Sequence, residues 1–333
     1  MITDTLSRPL NDLRISVTDR CNFRCVYCMP KEIFGRKFQF LSREELLTFE
    51  EIETVTRAFH AIGVRKIRLT GGEPLVRSQV EQLVAMLSEL PDTDLTMTTN
   101  GILLPTLAKD LKAAGLKRVT ISLDSLDDAE FQAMNDVGAS VQDVLRGVEA
   151  AEDAGLHPVK INMVVKRGVN EDSVLPMARY FKEQGHILRF IEYMDVGHTN
   201  GWRLDEVVPA AEIIERVGAE LALEPIEPNY RGEVANRYRY LEGSGEIGVI
   251  ASVTHPFCQD CTRVRLSADG MLYTCLFAVK GHDLRGAIRS GASHEELIEI
   301  ISSIWTRRTD RYSELRSEAT EGLQKIEMSY IGG

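Results

Sequence analysis

The sequence predicts an α/β fold, an incomplete (β/α)6 barrel of the TIM type with a smaller α+β region after it. Strand-like runs alternate with helix-like stretches up to residue 208, which is typical of parallel βαβ units. After residue 208 this alternation gives way to a stretch rich in β-forming residues and glycine. We therefore predict two domains, residues 1–208 and residues 209–333.

Six strand-like runs define the predicted barrel, whereas a closed barrel of this type has eight strands. The first strand, LRISV at 13–17, is followed by a predicted helix at 42–62 that begins with a capping box of Ser42 and Glu45. The later strands are KIRLT (66–70), LTMTT (95–99), VTISL (119–123), VKINMVV (159–165) and ILRFIEYM (187–194). Six units leave the barrel open on one side.

The predicted strands have one apolar and one polar face. Both faces of a parallel sheet are normally covered, so we expect the polar face to line a wet lumen, although a one-sided sheet would expose it to solvent instead. Its cations require an anionic ligand, and several phosphate groups would satisfy them. The polar positions are Arg14, Ser16, Lys66, Arg68, Thr70, Thr96, Thr98, Thr120, Ser122, Lys160, Asn162 and Arg189.

The C-terminal part has its own local signals. A helix is predicted at 209–218, and Asp269-Gly270 between two alternating runs indicates a β-hairpin. Ser293 and Glu296 form a capping box that opens a last helix, ELIEIISSIW. We expect this part to pack over the open side of the barrel.

The composition excludes several classes of partner. The net charge is −11, which argues against bulk electrostatic attraction to nucleic acid or an anionic membrane. No apolar run approaches the ~18 residues of a membrane span, and the first twenty residues carry no apolar signal region. We expect a cytoplasmic protein with no nucleic-acid or membrane partner.

All 6 cysteines fall into two triplets, and in a reducing compartment such groups bind metal more often than they form disulfides. A structural zinc site needs four ligands, whereas three thiolates can hold three irons of a [4Fe-4S] cube and leave the fourth iron open. Zinc remains an alternative if a distant histidine joins the first triplet or His255 joins the second. The cysteines are Cys21, Cys25, Cys28, Cys258, Cys261 and Cys275.

The first triplet resembles the signature of radical S-adenosylmethionine enzymes. It has the spacing C-x3-C-x2-C with Tyr27 before the last cysteine, and TGGEP at 70–74 ends the second strand. The resemblance implies a barrel of the radical SAM kind. It also implies a [4Fe-4S] cluster whose open iron binds S-adenosyl-L-methionine, which is cleaved by one electron to a 5′-deoxyadenosyl radical.

Further motifs resemble the GTP 3′,8-cyclase family of molybdenum cofactor biosynthesis. They are FCQDCTRVRLSADGMLYTCLF, DLRISVTDRCNFRCVYCMP, RKIRLTGGEPLVR, TTNG, RFIEYMDVG and the final Gly332-Gly333, and the resemblance covers residues 12–333. It implies a lyase that converts GTP to (8S)-3′,8-cyclo-7,8-dihydroguanosine 5′-triphosphate with a second [4Fe-4S] cluster. The implied partners are a low-potential electron donor, a second copy in a homodimer and the next enzyme, cyclic pyranopterin monophosphate synthase.

The resemblance also implies a role for individual residues. The two triplets would hold the two clusters, and Tyr27, Gly72, Ser122 and Met194 would contact S-adenosylmethionine. GTP would be bound by Arg14, Lys66, Arg68, Thr98, Lys160, Arg189, Arg263, Val264 and Arg265. Arg14, Arg263, Arg265, Gly332 and Gly333 would act in catalysis, with the glycine tail entering the active site, although an unordered chain end is the general expectation. The chain has no Walker A pattern, so side-chain cations must hold the triphosphate.

Two other functions compete with this interpretation. A peptide-modifying maturase would also be a radical enzyme with an auxiliary cluster, but such enzymes usually carry more C-terminal cysteines, and Arg263 and Arg265 favour a phosphorylated substrate. A non-enzymatic iron-sulfur carrier or sensor would need neither TGGEP nor a lumen lined by cations. Iron content separates all three functions from the zinc alternative.

Overall fold

The computed structural model describes residues 2–316 and 323–332, and their strands form one twelve-stranded sheet. Six central strands are parallel and lie side by side in chain order, which confirms the six predicted strands. They are β1 (Asp12–Ser16), β2 (Lys66–Thr70), β3 (Asp94–Thr99), β4 (Arg118–Ser122), β5 (Lys160–Val165) and β6 (Ile187–Glu192).

Helices connect these strands and cover their apolar face. Leu13, Ile15, Ile67 and Leu69 are fully buried in the hydrophobic core, as the parity of the strands predicts. None of the helices in the described ranges is long and apolar enough to cross a membrane. The helices of this part are α1 (Phe49–Ala61), α2 (Val80–Ser88), α3 (Leu104–Ala113), α4 (Asp128–Asn135), α5 (Val141–Asp153) and α6 (Val174–Glu183).

The predicted start of the first helix was wrong. α1 begins at Phe49, after a capping box of Thr48 and Glu51 that the sequence also contains. At Ser42 the amide donates to the Glu45 carboxylate at 2.8 Å, but residues 43–45 form a turn and no helix begins there. The chain before α1 is instead tied to the C-terminal part, because the Leu47 amide donates to the Ala268 carbonyl at 2.8 Å.

The C-terminal part extends the parallel sheet at both ends. β9 (Glu246–Ile250) pairs in parallel with β6, and β10 (Arg263–Leu266) pairs in parallel with β1. The sheet order leaves β7 (Leu223–Ile226) and β12 (His282–Asp283) at the two edges, so the barrel is open. The predicted helices at 209–218 and 296–305 and the hairpin at Asp269-Gly270 are confirmed. The elements are α7 (Ala210–Gly218), β7 (Leu223–Ile226), β8 (Asn236–Tyr240), β9 (Glu246–Ile250), β10 (Arg263–Leu266), β11 (Met271–Tyr273), β12 (His282–Asp283), α8 (Arg285–Arg289), α9 (His294–Thr306) and α10 (Met328–Ile331).

The two-domain division at residue 208 stays a prediction. The two predicted domains contribute strands to one sheet, and the register of β1, β2 and β10 places arginines side by side. Arg14 on β1 lies opposite Arg68 on β2 and opposite Arg265 on β10. Like charges on neighbouring strands destabilise a sheet, so this row of arginines favours an anion bound beside it.

Candidate functional site

The first cysteine triplet lies on the loop that follows β1. The Cys28 amide donates to the Cys25 carbonyl at 2.9 Å, which closes a tight turn. The Arg24 guanidinium donates to the carbonyl oxygens of Cys21 and Phe23, at 2.8 and 2.6 Å. The loop therefore supplies its own cation to fix the backbone around the thiols.

Gly71 and Gly72 allow the loop after β2 to approach the cysteine loop closely. The Gly72 amide donates to the Thr18 carbonyl and the Glu73 amide donates to the Arg20 carbonyl, each at 2.8 Å. A Cβ atom at Gly72 would lie 2.3 Å from the Arg20 oxygen, so only glycine fits. The TGGEP run thus fixes the position of the backbone that leads into Cys21.

Glu73 completes this loop and is fully buried. Its carboxylate accepts hydrogen bonds from the Thr99 hydroxyl and the Asn100 amide, both at 2.7 Å. Burial raises the pKa of Glu73 to about 7. These hydrogen bonds tie the TGGEP loop to the end of β3, which indicates a role in shaping the loop.

Tyr27 is oriented by a residue that the sequence interpretation missed. Its hydroxyl donates to Asp124 Oδ2 at 2.7 Å, and Asp124 Oδ1 also accepts from the Val164 amide at 2.8 Å. Burial raises the pKa of Asp124 to about 6. Asp124 directly follows the strand predicted at 119–123, and ligand sites form at the carboxyl ends of parallel strands, which was the available signal.

One cavity of about 280 Å³ brings together most of the predicted site residues. Both cysteine triplets line it. The four residues predicted to contact S-adenosylmethionine line it as well, and so do most of those predicted to bind GTP. These residues are Tyr27, Gly72, Ser122, Met194, Arg14, Arg68, Thr98, Arg189, Arg263 and Arg265.

The predicted lumen corresponds to two adjoining cavities that share lining residues. Lys66 and Lys160 line a second cavity of about 290 Å³, while Arg68 and Arg189 line both cavities. The second cavity includes Tyr230 from the C-terminal part, whose ring lies 4.1 Å from the Lys66 ammonium. The strand pattern could not show this arrangement, because the residues that close the second cavity come from beyond β7.

Val264, which was predicted to bind GTP, lines neither cavity. It is 1% exposed and belongs to the hydrophobic core, on the face opposite Arg263 and Arg265. Alternate residues of a strand point to opposite faces, so its side chain is directed away from both cavities. Any contact of Val264 with a substrate would have to come from its main chain.

Burial lowers the pKa of cations in both cavities, although Lys66 pairs with Asp12 at 3.6 Å and Asp94 and Glu233 line the second cavity. Burial, together with the nearby Arg263 and Arg68, lowers the pKa of Arg14 to about 9. Burial is also the main cause that lowers the pKa of Lys66 and of Lys160 to about 8. Within the described ranges, Arg14 and Lys160 form no hydrogen bond or ion pair through their side chains. A bound polyanion would relieve this repulsion.

The second cysteine triplet is surrounded by arginines. The Arg308 guanidinium donates to Cys261 Sγ at 3.3 Å and to the Cys261 carbonyl at 2.7 Å, and Arg263 donates to the same sulfur at 3.5 Å. Arg8 donates to the Cys258 carbonyl at 2.8 Å. Although burial acts in the opposite direction, Arg263 and Arg308 lower the pKa of Cys261 to about 6. Cys261 is therefore prepared to act as a thiolate ligand.

Each triplet has the number of thiols that leaves one iron of a [4Fe-4S] cube without a protein ligand. Each triplet offers three free, partly exposed thiols to the cavity. Among the described residues, no three His, Cys, Asp or Glu side chains are grouped closely enough to hold a single metal ion. His255, the proposed fourth ligand of a zinc site, is not among the residues that line the cavity.

The C-terminal segment reaches the same cavity. Met328 and Ser329 line it, and the Gly332 carbonyl accepts a hydrogen bond from the Arg265 guanidinium. A Cβ atom at Gly332 would lie 2.5 Å from Thr70 Cγ2, so a larger residue would displace the tail. Gly333 lies outside the described residues, and the catalytic role of the tail stays a prediction.

Comparisons with known proteins first define the class. The profile of the radical SAM superfamily matches residues 15–181, and the profile described as Molybdenum Cofactor Synthesis C matches residues 186–314. The fold and the first cysteine triplet are thus those of a radical SAM protein.

Full-length relatives then define the family. The chain is 56% identical over 358 residues to a GTP 3′,8-cyclase of Acidothermus cellulolyticus, covering 100% of this chain and 99% of the relative. It is 47% identical over 337 residues to a GTP 3′,8-cyclase of Staphylococcus saprophyticus, with the same coverage of 100% and 99%. The chain belongs to the GTP 3′,8-cyclase family.

Solved structures support the fold. Streptococcus suis SuiB bound to S-adenosylmethionine has a TM-score of 0.63 at 16% identity, covering 96% of this chain and 72% of that one. Methylornithine synthase (PylB) has a TM-score of 0.51 at 17% identity, covering 63% of this chain and 62% of that one. At these identities the likeness concerns the fold alone.

Proposed function

We propose that the chain is a radical SAM lyase that converts GTP to (8S)-3′,8-cyclo-7,8-dihydroguanosine 5′-triphosphate in molybdenum cofactor biosynthesis. Membership of the GTP 3′,8-cyclase family supports this function. The observation that carries it is one cavity lined by two cysteine triplets and by Arg14, Arg263 and Arg265. A peptide-modifying maturase or an electron carrier would leave those arginines without an anion to bind.

The thiolates of Cys21, Cys25 and Cys28 hold the first [4Fe-4S] cluster in this proposal. Together with S-adenosylmethionine it supplies a 5′-deoxyadenosyl radical. Cys258, Cys261 and Cys275 hold a second [4Fe-4S] cluster, with Arg308 and Arg8 fixing the backbone and one sulfur of that triplet. Tyr27, held by Asp124, and Gly72 form the wall against which the cofactor binds.

GTP spans the two cavities. Arg68 and Arg189 line both, so they lie where a phosphate chain in one cavity continues into the nucleoside in the other. Lys66 and Lys160 then bind the outer phosphates as point charges. Arg14 and Arg265 lie in one row with Arg68 and bind the part of GTP nearest the second triplet.

The chain's contribution to the chemistry is positioning and exclusion. The hydrogen atom at C3′ of the ribose would pass to the 5′-deoxyadenosyl radical, and a bond between C3′ and C8 of the purine would form. The purine radical would then take up one electron from a low-potential donor and one proton. These atoms need to be held in contact without competing hydrogen donors or water. The Arg265 guanidinium, which lines the cavity, donates to the Gly332 carbonyl and so ties the tail to the wall of the site.

The binding of GTP is expected to depend on pH. Because burial lowers the pKa of Lys66 and Lys160 to about 8, both ammonium groups are mostly charged at about pH 7 and mostly neutral at about pH 9. GTP affinity, measured by calorimetry, should fall about tenfold or more over this range. The double variant Lys66→Arg/Lys160→Arg keeps its charge and should show a much flatter profile. If GTP affinity declined equally in the wild type and in the double variant, the assignment of Lys66 and Lys160 to the phosphates would be contradicted.

The reaction is tested with GTP deuterated at C3′. The anaerobically reconstituted protein, given a reductant and S-adenosylmethionine, is expected to produce 5′-deoxyadenosine that carries deuterium, detected by mass spectrometry. Unlabelled 5′-deoxyadenosine in the presence of product would exclude C3′ as the site of abstraction.

Iron and sulfide analysis of the same sample, with about eight irons per chain for two cubes, tests the second cluster against the zinc alternative.

The remaining assignments follow from family membership. We place the enzyme in the cytoplasm as a homodimer, supplied by a low-potential electron donor and followed by cyclic pyranopterin monophosphate synthase.

A further inference from the structure

A basic and aromatic surface lies next to the first cysteine triplet. We call residues 31–40, KEIFGRKFQF, the basic-aromatic loop. It exposes two large apolar side chains, Ile33 at 44% and Phe38 at 38%. Neighbouring exposed apolar side chains with a charged rim are typical of protein-binding surfaces.

The basic-aromatic loop is held in one conformation by aromatic packing and backbone hydrogen bonds. Phe34 is buried and its ring centroid lies 4.6 Å from that of Phe38, which lies 4.8 Å from that of Phe40. The Ile33 and Phe34 amides both donate to the Pro30 carbonyl, at 3.1 and 2.9 Å. Phe38 is thus held at the surface by its packing.

The loop packs directly against the segment that carries the first triplet. The Arg24 guanidinium donates to the Phe34 carbonyl and to the Cys21 carbonyl, both at 2.8 Å. The guanidiniums of Arg24 and Arg20 also lie over the Phe40 ring, at 5.7 and 5.5 Å from its centroid. A partner bound to the loop would therefore lie beside the cluster that Cys21, Cys25 and Cys28 hold.

The charge of the loop is opposite to that of the whole chain. The chain has a net charge of −11, yet the loop carries Lys31, Arg36 and Lys37 against one carboxylate. Arg36 and Lys37 are exposed and form no ion pair with any described residue. Lys31 pairs with Asp136 at 2.6 Å, which brings the neighbouring Val137, 46% exposed, to the same surface. Such a surface complements an acidic partner.

We propose that the basic-aromatic loop docks an acidic, low-potential one-electron carrier protein that reduces the first cluster. The inference rests on the proposed function, because S-adenosylmethionine is cleaved only after that cluster has gained an electron. One electron passes from the carrier to the cluster, so the carrier is oxidised by one electron and the cluster is reduced by one. No bond forms or breaks in this step, and no proton moves.

The experiment compares two reductants for the reconstituted enzyme. One is a reduced flavodoxin, which is an acidic one-electron carrier protein, and the other is dithionite, which needs no docking surface. In the variant Arg36→Glu/Phe38→Ser, the KM for flavodoxin should rise about tenfold or more and lose its salt dependence. Turnover with dithionite should stay within about twofold of the wild type. The single variant Lys37→Glu repeats the measurement without changing the aromatic packing.

The matched control is Lys109→Glu/Leu204→Ser, which changes an exposed cation and a 66% exposed leucine elsewhere on the surface. It should leave both reductants unaffected. The docking proposal is wrong if flavodoxin shows the same KM for the loop variants and the control, or if dithionite turnover falls equally. A change of oligomeric state in the loop variants would instead make the loop a contact between two copies. Absence of product from the wild type with dithionite would refute the proposed function itself.

Discussion

Gly72→Ala is expected to abolish most of the assembly of the first cluster while leaving the rest of the fold intact. The new methyl group would lie 2.3 Å from the Arg20 carbonyl oxygen, and backbone atoms cannot move aside as a flexible side chain can. Overpacking of this kind costs about 1–3 kcal/mol, which the loop can relieve only by moving away from the backbone before Cys21. S-adenosylmethionine affinity, measured anaerobically by calorimetry, should fall about tenfold or more.

Gly218→Ala is the matched control. Gly218 lies at the end of α7, and a Cβ atom there would meet nothing within 4 Å. Since alanine favours a helix more than glycine does, this variant should bind S-adenosylmethionine normally and be equally or slightly more stable to urea. Normal iron content and normal affinity in Gly72→Ala would show that the two loops are not packed as described.

The strand pattern predicted the central part of the site because pleating fixes which side chains share a face. Arg14, Arg68 and Thr98 were placed on one face from their parity, and all three line the main cavity. The start of α1 was predicted wrongly because two capping boxes compete in one stretch. Contacts with the C-terminal part, such as that from Leu47 to Ala268, decide between them.

The remainder of the site depends on contacts between distant parts of the chain. Arg8 reaches the Cys258 carbonyl across 250 residues, and Arg308 reaches Cys261 across 47. Neither arginine belongs to a local motif, so no spacing rule could assign it to the second triplet. Tyr230, which lines the second cavity, lies in the loop between β7 and β8 and belongs to no local motif either.

Asp195→Ala is expected to release the C-terminal tail from the active site. The buried Asp195 carboxylate accepts hydrogen bonds from the Tyr312 hydroxyl at 2.6 Å, from Arg316 Nε at 3.1 Å and from Lys325 Nζ at 3.0 Å. It thus fixes the chain both before and after residues 317–322, just ahead of Gly332. Removing one partner of a buried ion pair costs about 3–5 kcal/mol, because the remaining cations lose their counter-charge.

The expected result follows from the position of the tail beside Arg265. Once the segment around Lys325 is released, limited trypsin digestion at that residue should become about tenfold faster or more. Formation of the cyclised product should fall by a similar factor, whereas iron content should not change. Glu212→Gln is the matched control, because Glu212 also joins two cations, Arg167 and Arg216, but does so at the surface near α7. Equal digestion rates in the two variants would mean that Asp195 does not hold the tail, and normal product formation from a freely digested tail would mean that the tail is not needed for cyclisation.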